Sequence, residues 1–153
     1  MRPGVRLGVD VGKVRIGVAR SDQHGMLATP VSTVQRGDGD IVELLRIVAE
    51  IEAVELIVGL PLALSGRETA STEDAKSFAA LLAAATPQGV RLVDERLSTV
   101  SAQRALRSSG RSSKSSRPVI DQVAAVIILQ HALDVERSTG TPPGVVVHPN
   151  EGS

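Results

Sequence analysis

At 153 residues, 42% of them hydrophobic and 22% charged, the chain has room for one ordinary globular core and not for two. It contains no Cys, which excludes disulfides, thiolate metal sites and a cysteine nucleophile; its one aromatic residue, Phe78, argues against a base-stacking platform for single-stranded nucleic acid. Seventeen basic and seventeen acidic residues cancel, so there is no uniformly basic coat, yet Arg104, Arg107, Arg111, Lys114 and Arg117 fall together with no acid among them.

In chain order, Val5 to Asp10 reads as a short apolar strand ending in an acid, and the Gly-containing turn Val11 to Val14 leads into a second strand, Arg15 to Arg20. Ala28 to Val34 is a third, β-branched strand, and Pro30, which has no N–H to donate, predicts that it lies at a sheet edge. The period then changes. Ile41 to Glu52 places Ile41, Leu44, Leu45, Val48 and Ile51 on one helical face. Glu55 to Leu60 is a buried-strand run stopped by Pro61. Ser71, with Asp74 three residues on, predicts the start of a helix over Thr72 to Ala85. Val90 to Asp94 is a fifth strand, and Ser98 or Thr99 caps a short helix running to about Arg107. Ser108 to Ser116 is Ser-rich and basic, a composition that predicts mobility. Asp121 to Asp134 is a helix apolar on nearly every face, and residues 138–153 read as a flexible tail after a domain spanning 1–137. The order β-β-β-α-β-α-β-α-α predicts an α/β fold: a mixed five-stranded sheet with helices on both faces. The longest apolar run, Phe78 to Ala85, is eight residues, far short of the roughly 20 a membrane span requires. With no signal-peptide pattern either, the expected compartment is the cytosol, away from any membrane.

Three acids fall at element boundaries: Asp10 at the end of strand one, Glu95 after strand five, and Asp121 at the opening of the last helix. Strand ends on one side of an α/β sheet are where such folds gather their sites. Three converging carboxylates repel one another, and a divalent cation relieves that repulsion. Oxygen donors without Cys or paired His point to Mg²⁺ or Mn²⁺ rather than zinc. Each acid also has a plainer reading. Asp10 before its turn is ordinary turn chemistry, Asp121 suits the positive end of a helix dipole, and Asp94 and Glu95 could form a solvated strand end paired with Arg96.

Four blocks, in order, resemble the YqgF (RuvX) family of RNase H-like nucleases. They are Gly8-Val9-Asp10-Val11-Gly12-Lys13-Val14-Arg15-Ile16-Gly17-Val18-Ala19, Val58-Gly59-Leu60-Pro61 with Gly66, Asp94-Glu95-Arg96-Leu97-Ser98-Thr99, and Ile120-Asp121-Gln122-Val123-Ala124-Ala125. The resemblance implies an RNase H-like fold with sheet order 3-2-1-4-5. It also implies metal-dependent phosphodiester hydrolysis with Asp10, Glu95 and Asp121 as the acidic triad, Asp10 bridging two ions. Arg15 and Arg96, beside two of the acids, become candidates for phosphate contact, with Arg104, Arg107, Arg111, Lys114 and Arg117 as a further nucleic-acid-binding group. The chain departs from relatives of the RuvC type in carrying Gly59-Leu60-Pro61 where they have an acid on the fourth strand. It also has Ala63 where many family members have Asn.

The function implied is 5′-end maturation of precursor 16S ribosomal RNA, with precursor rRNA or ribosomal precursor particles as partners. Cleavage of four-way DNA junctions is the alternative. It needs two active sites related by a two-fold axis, so monomer against homodimer separates the two. A non-catalytic nucleic-acid-binding or ribosome-assembly module is the third reading.

Overall fold

A computed structural model describes residues 1–97 and 117–149, with the backbone alone at 97 and at 117–120. The strands are β1 (Val5–Val11), β2 (Arg15–Ser21), β3 (Ala28–Gln35), β4 (Ala53–Leu60), β5 (Gly89–Asp94) and β6 (Val145–Val146). The helices are α1 (Asp40–Ile51), α2 (Ala70–Ala85) and α3 (Arg117–Thr139). One sheet runs β3-β2-β1-β4-β5-β6, antiparallel from β3 to β1, parallel from β1 through β4 to β5, and antiparallel again at β6. The expected order of the first five strands holds, and Pro30 lies on the edge strand as predicted. The β2–β3 register shifts beside it, between the Val18–Ser32 and Ala19–Pro30 pairs, where the ladder loses a donor.

The sheet has six strands rather than five. The sixth comes from the segment read as a flexible tail: Val145 and Val146 pair with Leu92 and Arg91, and the Val147 N–H donates to the Val90 carbonyl at 2.9 Å. Three valines between a Pro-Gly run and a His-Pro are too few to declare a strand by themselves, and the free edge of β5 supplies the order. Helix α2 also begins earlier than expected. Thr69, not Ser71, is its cap: the Thr69 side chain accepts from the Thr72 N–H, and the Thr72 hydroxyl accepts from the Thr69 N–H. The Thr72 hydroxyl also donates to the Pro61 carbonyl, tying the helix to the end of β4. Helix α3 starts at Arg117, so Asp121 sits in its second turn rather than opening it. The basic positions Arg104, Arg107, Arg111 and Lys114, and the short helix predicted from Ser98 or Thr99, lie outside the described residues.

Period-2 alternation along β1 divides the core in two. Leu7 and Val9 face α1 and α2, packing with Leu44, Val48, Leu56, Val58, Phe78 and Leu82. The other face carries small residues under α3, whose Ala124, Ala125, Ile128, Leu129 and Leu133 pack with Ala19, Ile57 and Val93. The helix comes close: a Cβ on Gly8 would stand 2.8 Å from Leu129 Cβ.

At the end of the sheet where the parallel strands begin, the α3 side buries a charge network. Arg2 bridges Glu55 (2.8 Å) and Glu136 (2.9 Å), Arg6 reaches Glu136 at 3.5 Å, and Arg91 reaches Glu55 at 3.0 Å. Hydrogen bonds from Arg2 hold the Glu136 carboxyl down to about 2, against an ordinary value of 4.5. Because the folded value is depressed, the stabilisation is present in full above 4.5 and is lost as pH falls toward 2. Glu136→Gln is expected to cost about 3 kcal/mol at pH 7, since it leaves two guanidinium groups short of a partner. Urea midpoints for the two proteins should converge as pH drops from 5 toward about 2. A gap independent of pH would show that the carboxylate charge is not what stabilises α3.

Candidate active site

The C-terminal ends of β1, β4 and β5 lie side by side, bringing Gly8 and Asp10 of β1 next to Gly59 of β4 and to Asp94 and Glu95 at the end of β5. Asp10 follows Gly8 on the α3 face of β1 and is 2% exposed. Its partner on β2 is Gly17, and its neighbour on β4 is Gly59, next after Val58, which pairs with Val9. Both glycines leave room that another acid fills. A Cβ on Gly17 would stand 2.0 Å from the Asp121 carbonyl oxygen, and one on Gly59 would stand 2.7 Å from Glu95 Oε2. Asp121 and Glu95 therefore pack over the two positions flanking Asp10, and both are buried. The three acids that the sequence places at element ends thus gather at one end of the sheet.

Asp10 and Asp121 open into a cleft of about 270 Å³, which Lys13, Pro61, Ser71 and Asp74 also line. Asp121 Oδ2 accepts from Arg15 Nε at 3.0 Å. Asp74 is gripped by Arg36 through two hydrogen bonds of 2.9 and 3.0 Å, which hold its carboxyl below the usual range. The same guanidinium donates to the Gly12 carbonyl at 2.8 Å and lies 5.2 Å from the Phe78 ring centroid. Arg36 thereby braces the turn after Asp10 against α2. Sequence reasoning did not single it out, and its only advance sign is a cation just past the end of β3.

The predicted phosphate contacts divide. Arg15 borders the site. Arg96 lies outside the cleft lining: it pairs with Asp94 at 2.7 Å and donates to the Leu64 carbonyl at 3.3 Å, the ion-pair role open to it in the sequence. Asp94 is thus the solvated member of the Asp94-Glu95 pair, and Glu95 is the buried one. Arg117 begins α3.

The donor set is oxygen only and anionic, which suits a hard divalent cation in kind. Among the described residues, however, no three carboxylates stand close enough to enclose an ion as they are. The Arg15 guanidinium lies against Asp121.

Residues 4–135 match the profile of the family described as RuvX, Holliday junction resolvase. A protein of Clavibacter sepedonicus named "Putative pre-16S rRNA nuclease" is 66% identical over 98% of this chain and 95% of its own length. One of the same name from Leifsonia xyli subsp. xyli is 64% identical over 99% of both. Among solved structures, T. thermophilus RuvC in complex with a Holliday junction substrate superposes with a TM-score of 0.55. It covers 89% of this chain and 97% of that one at 16% identity, a likeness of fold.

Proposed function

The chain belongs to the RuvX family, and on that premise we propose that it is a metal-dependent nuclease that hydrolyses phosphodiester bonds in precursor 16S rRNA. One observation of the structure carries the reading: the positions flanking Asp10 are glycines, and the space they leave is occupied by Asp121 and Glu95. Carboxylates brought to one end of the sheet in this way offer the oxygen donors that a hard divalent cation takes. Asp10, Glu95 and Asp121 are the residues that would hold Mg²⁺ or Mn²⁺. Such an ion, when bound, supplies positive charge to the phosphoryl oxygens and makes water more acidic. Lys13 on the cleft wall and Arg15 beside it supply cationic contacts for the flanking phosphates. Arg36 keeps the turn after Asp10 in place.

Among the described residues no helix is long and apolar enough to cross a membrane, and the proposed setting is the cytosol, on rRNA or ribosomal precursor particles. The proposed nuclease domain extends past residue 137, since α3 runs to Thr139 and β6, Val145–Val146, joins its sheet. The family's description and the fold likeness favour a second reading, cleavage of four-way DNA junctions by a homodimer.

The test is cleavage, with Mg²⁺ or Mn²⁺, of a precursor 16S 5′ leader and of a synthetic four-way junction side by side. Cleavage of the RNA alone is expected. Symmetric nicking of the junction establishes the second reading, and inertness toward both favours a binding module. Neutralising Arg111, Lys114 and Arg117 together is expected to reduce the log-log salt slope of RNA binding by about 2, near 0.7 per lost contact on a single strand. An unchanged slope would remove that segment from the interface.

A further inference from the structure

Glu95 opens a 3₁₀ turn of three residues, Glu95–Leu97, directly after β5. So short a turn has poor hydrogen-bond geometry and holds its own shape weakly. The two chain neighbours of Glu95 supply what it lacks. Asp94 Oδ1 accepts from the Arg96 N–H at 2.9 Å, closing the main chain around Glu95. The Arg96 side chain folds back on the same carboxylate, with Nε 3.1 Å and Nη2 2.7 Å from Oδ2. The third nitrogen, Nη1, donates to the Leu64 carbonyl at 3.3 Å, in the loop between β4 and α2. Gly66 of that loop makes room for it: its φ is +91°, and a Cβ there would stand 3.2 Å from Nη1. The loop is closed on itself by the Gly66 N–H to the Ala63 carbonyl (2.8 Å) and the Ala63 N–H to the Arg67 carbonyl (3.0 Å). Pro61, where the loop leaves β4, lines the cleft. Asp94 and Arg96 are thus partly exposed on either side of Glu95, whose buried carboxylate packs against Gly59.

We infer that the Asp94–Arg96 pair is a clamp that positions Glu95 and joins it to the loop after β4, which makes Arg96 a positioning residue. The inference rests on the reading of Glu95 as a residue of the active site. The planar guanidinium suits the task, because its nitrogens reach a carboxylate and a carbonyl at once in a fixed relation that a lysine ammonium does not reproduce. A partly exposed ion pair adds little to overall stability, so its effect falls on the placement of Glu95. A displacement of about 1 Å in a catalytic group is enough to cost on the order of 10²-fold in rate.

The test uses the full chain in two arms. In the first, with the precursor 16S 5′ leader and Mn²⁺, Arg96→Ala is expected to lower kcat about 30-fold and to leave KM within about twofold. The salt slope of RNA binding should not change, and the thermal midpoint should fall by no more than about 3 °C. Arg96→Lys, which restores the charge without the fork, should remain at least about fivefold down in kcat. A raised KM and a flatter salt slope with kcat intact would make Arg96 a phosphate contact and overturn the inference. Full recovery in Arg96→Lys would overturn it too, as would an unchanged kcat in Arg96→Ala while Glu95→Gln abolishes cleavage. Undiminished cleavage by Glu95→Gln would instead overturn the reading of Glu95 as a site residue. The second arm requires no cleavage: amide hydrogen exchange is read by NMR on ¹⁵N-labelled protein. In Arg96→Ala the Ala63 and Gly66 amides should exchange about tenfold faster, while those of Leu7 and Val9 in β1 keep their rates. Loop amides that keep their wild-type rates would end the proposal, whatever the substrate.

Discussion

Asp10→Asn is expected to lose cleavage by roughly 10³-fold or more while the protein stays folded and still binds RNA. The side chain is 2% exposed, between Gly17 and Gly59, where nothing larger could be accommodated without displacing Asp121 or Glu95. Asn has the same shape, so packing is retained, and its amide keeps one acceptor for the contacts that the carboxylate makes. What it loses is the negative charge that a hard cation needs from its ligand. Because shape and packing are kept, the thermal midpoint should stay near that of the wild type. Cleavage assays with Mg²⁺ and Mn²⁺, a circular dichroism melt and a filter-binding titration together check the three parts. Retained turnover would remove the metal-centre assignment, and a collapsed melt would make Asp10 a structural residue.

Gly17→Ala is expected to be strongly destabilising for the addition of a single methyl group. Its Cβ would lie 2.0 Å from the Asp121 carbonyl oxygen and 2.4 Å from the Asp121 carbonyl carbon, both backbone atoms that no rotamer change can move. Relief requires lifting the start of α3 off β2, at a cost of about 3 kcal/mol and with Asp121 carried away from Asp10. Gly59→Ala makes the useful contrast. Its Cβ would meet Ile128 Cδ1 at 2.6 Å and Glu95 Oε2 at 2.7 Å, both ends of side chains, so the fold should tolerate it at about 1 kcal/mol. The Glu95 carboxylate would nevertheless be pushed aside, and activity should fall further than stability. Thermal midpoints and cleavage rates for the pair separate the two effects. A Gly17→Ala protein as stable as wild type would mean that α3 is not seated on β2.

The amino-acid sequence by itself determined the features with a local cause. Apolar alternation and β-branching mark β1 to β5. Pro30, lacking an N–H, puts β3 at the edge, and the 3.6-residue period marks α1. The three acids could be found for the same reason: a carboxylate directly after an apolar strand, or just inside a helix, stands out from a solvated face. Their family-like order then grouped them. The tertiary structure alone decided whatever depends on partners distant in the chain. Val145 and Val146 become a strand only because β5 offers them an unpaired edge. Thr69 replaces Ser71 as the helix cap because the Thr72 hydroxyl finds the Pro61 carbonyl. Arg36 reaches Asp74 and Gly12, Arg15 reaches Asp121, and Arg2 and Arg6 reach Glu136, each across a chain separation that no periodicity records. Periodicity and turn chemistry are properties of neighbouring residues. An ion pair or an edge-strand contact exists only after the hydrophobic faces have packed and brought those side chains within reach.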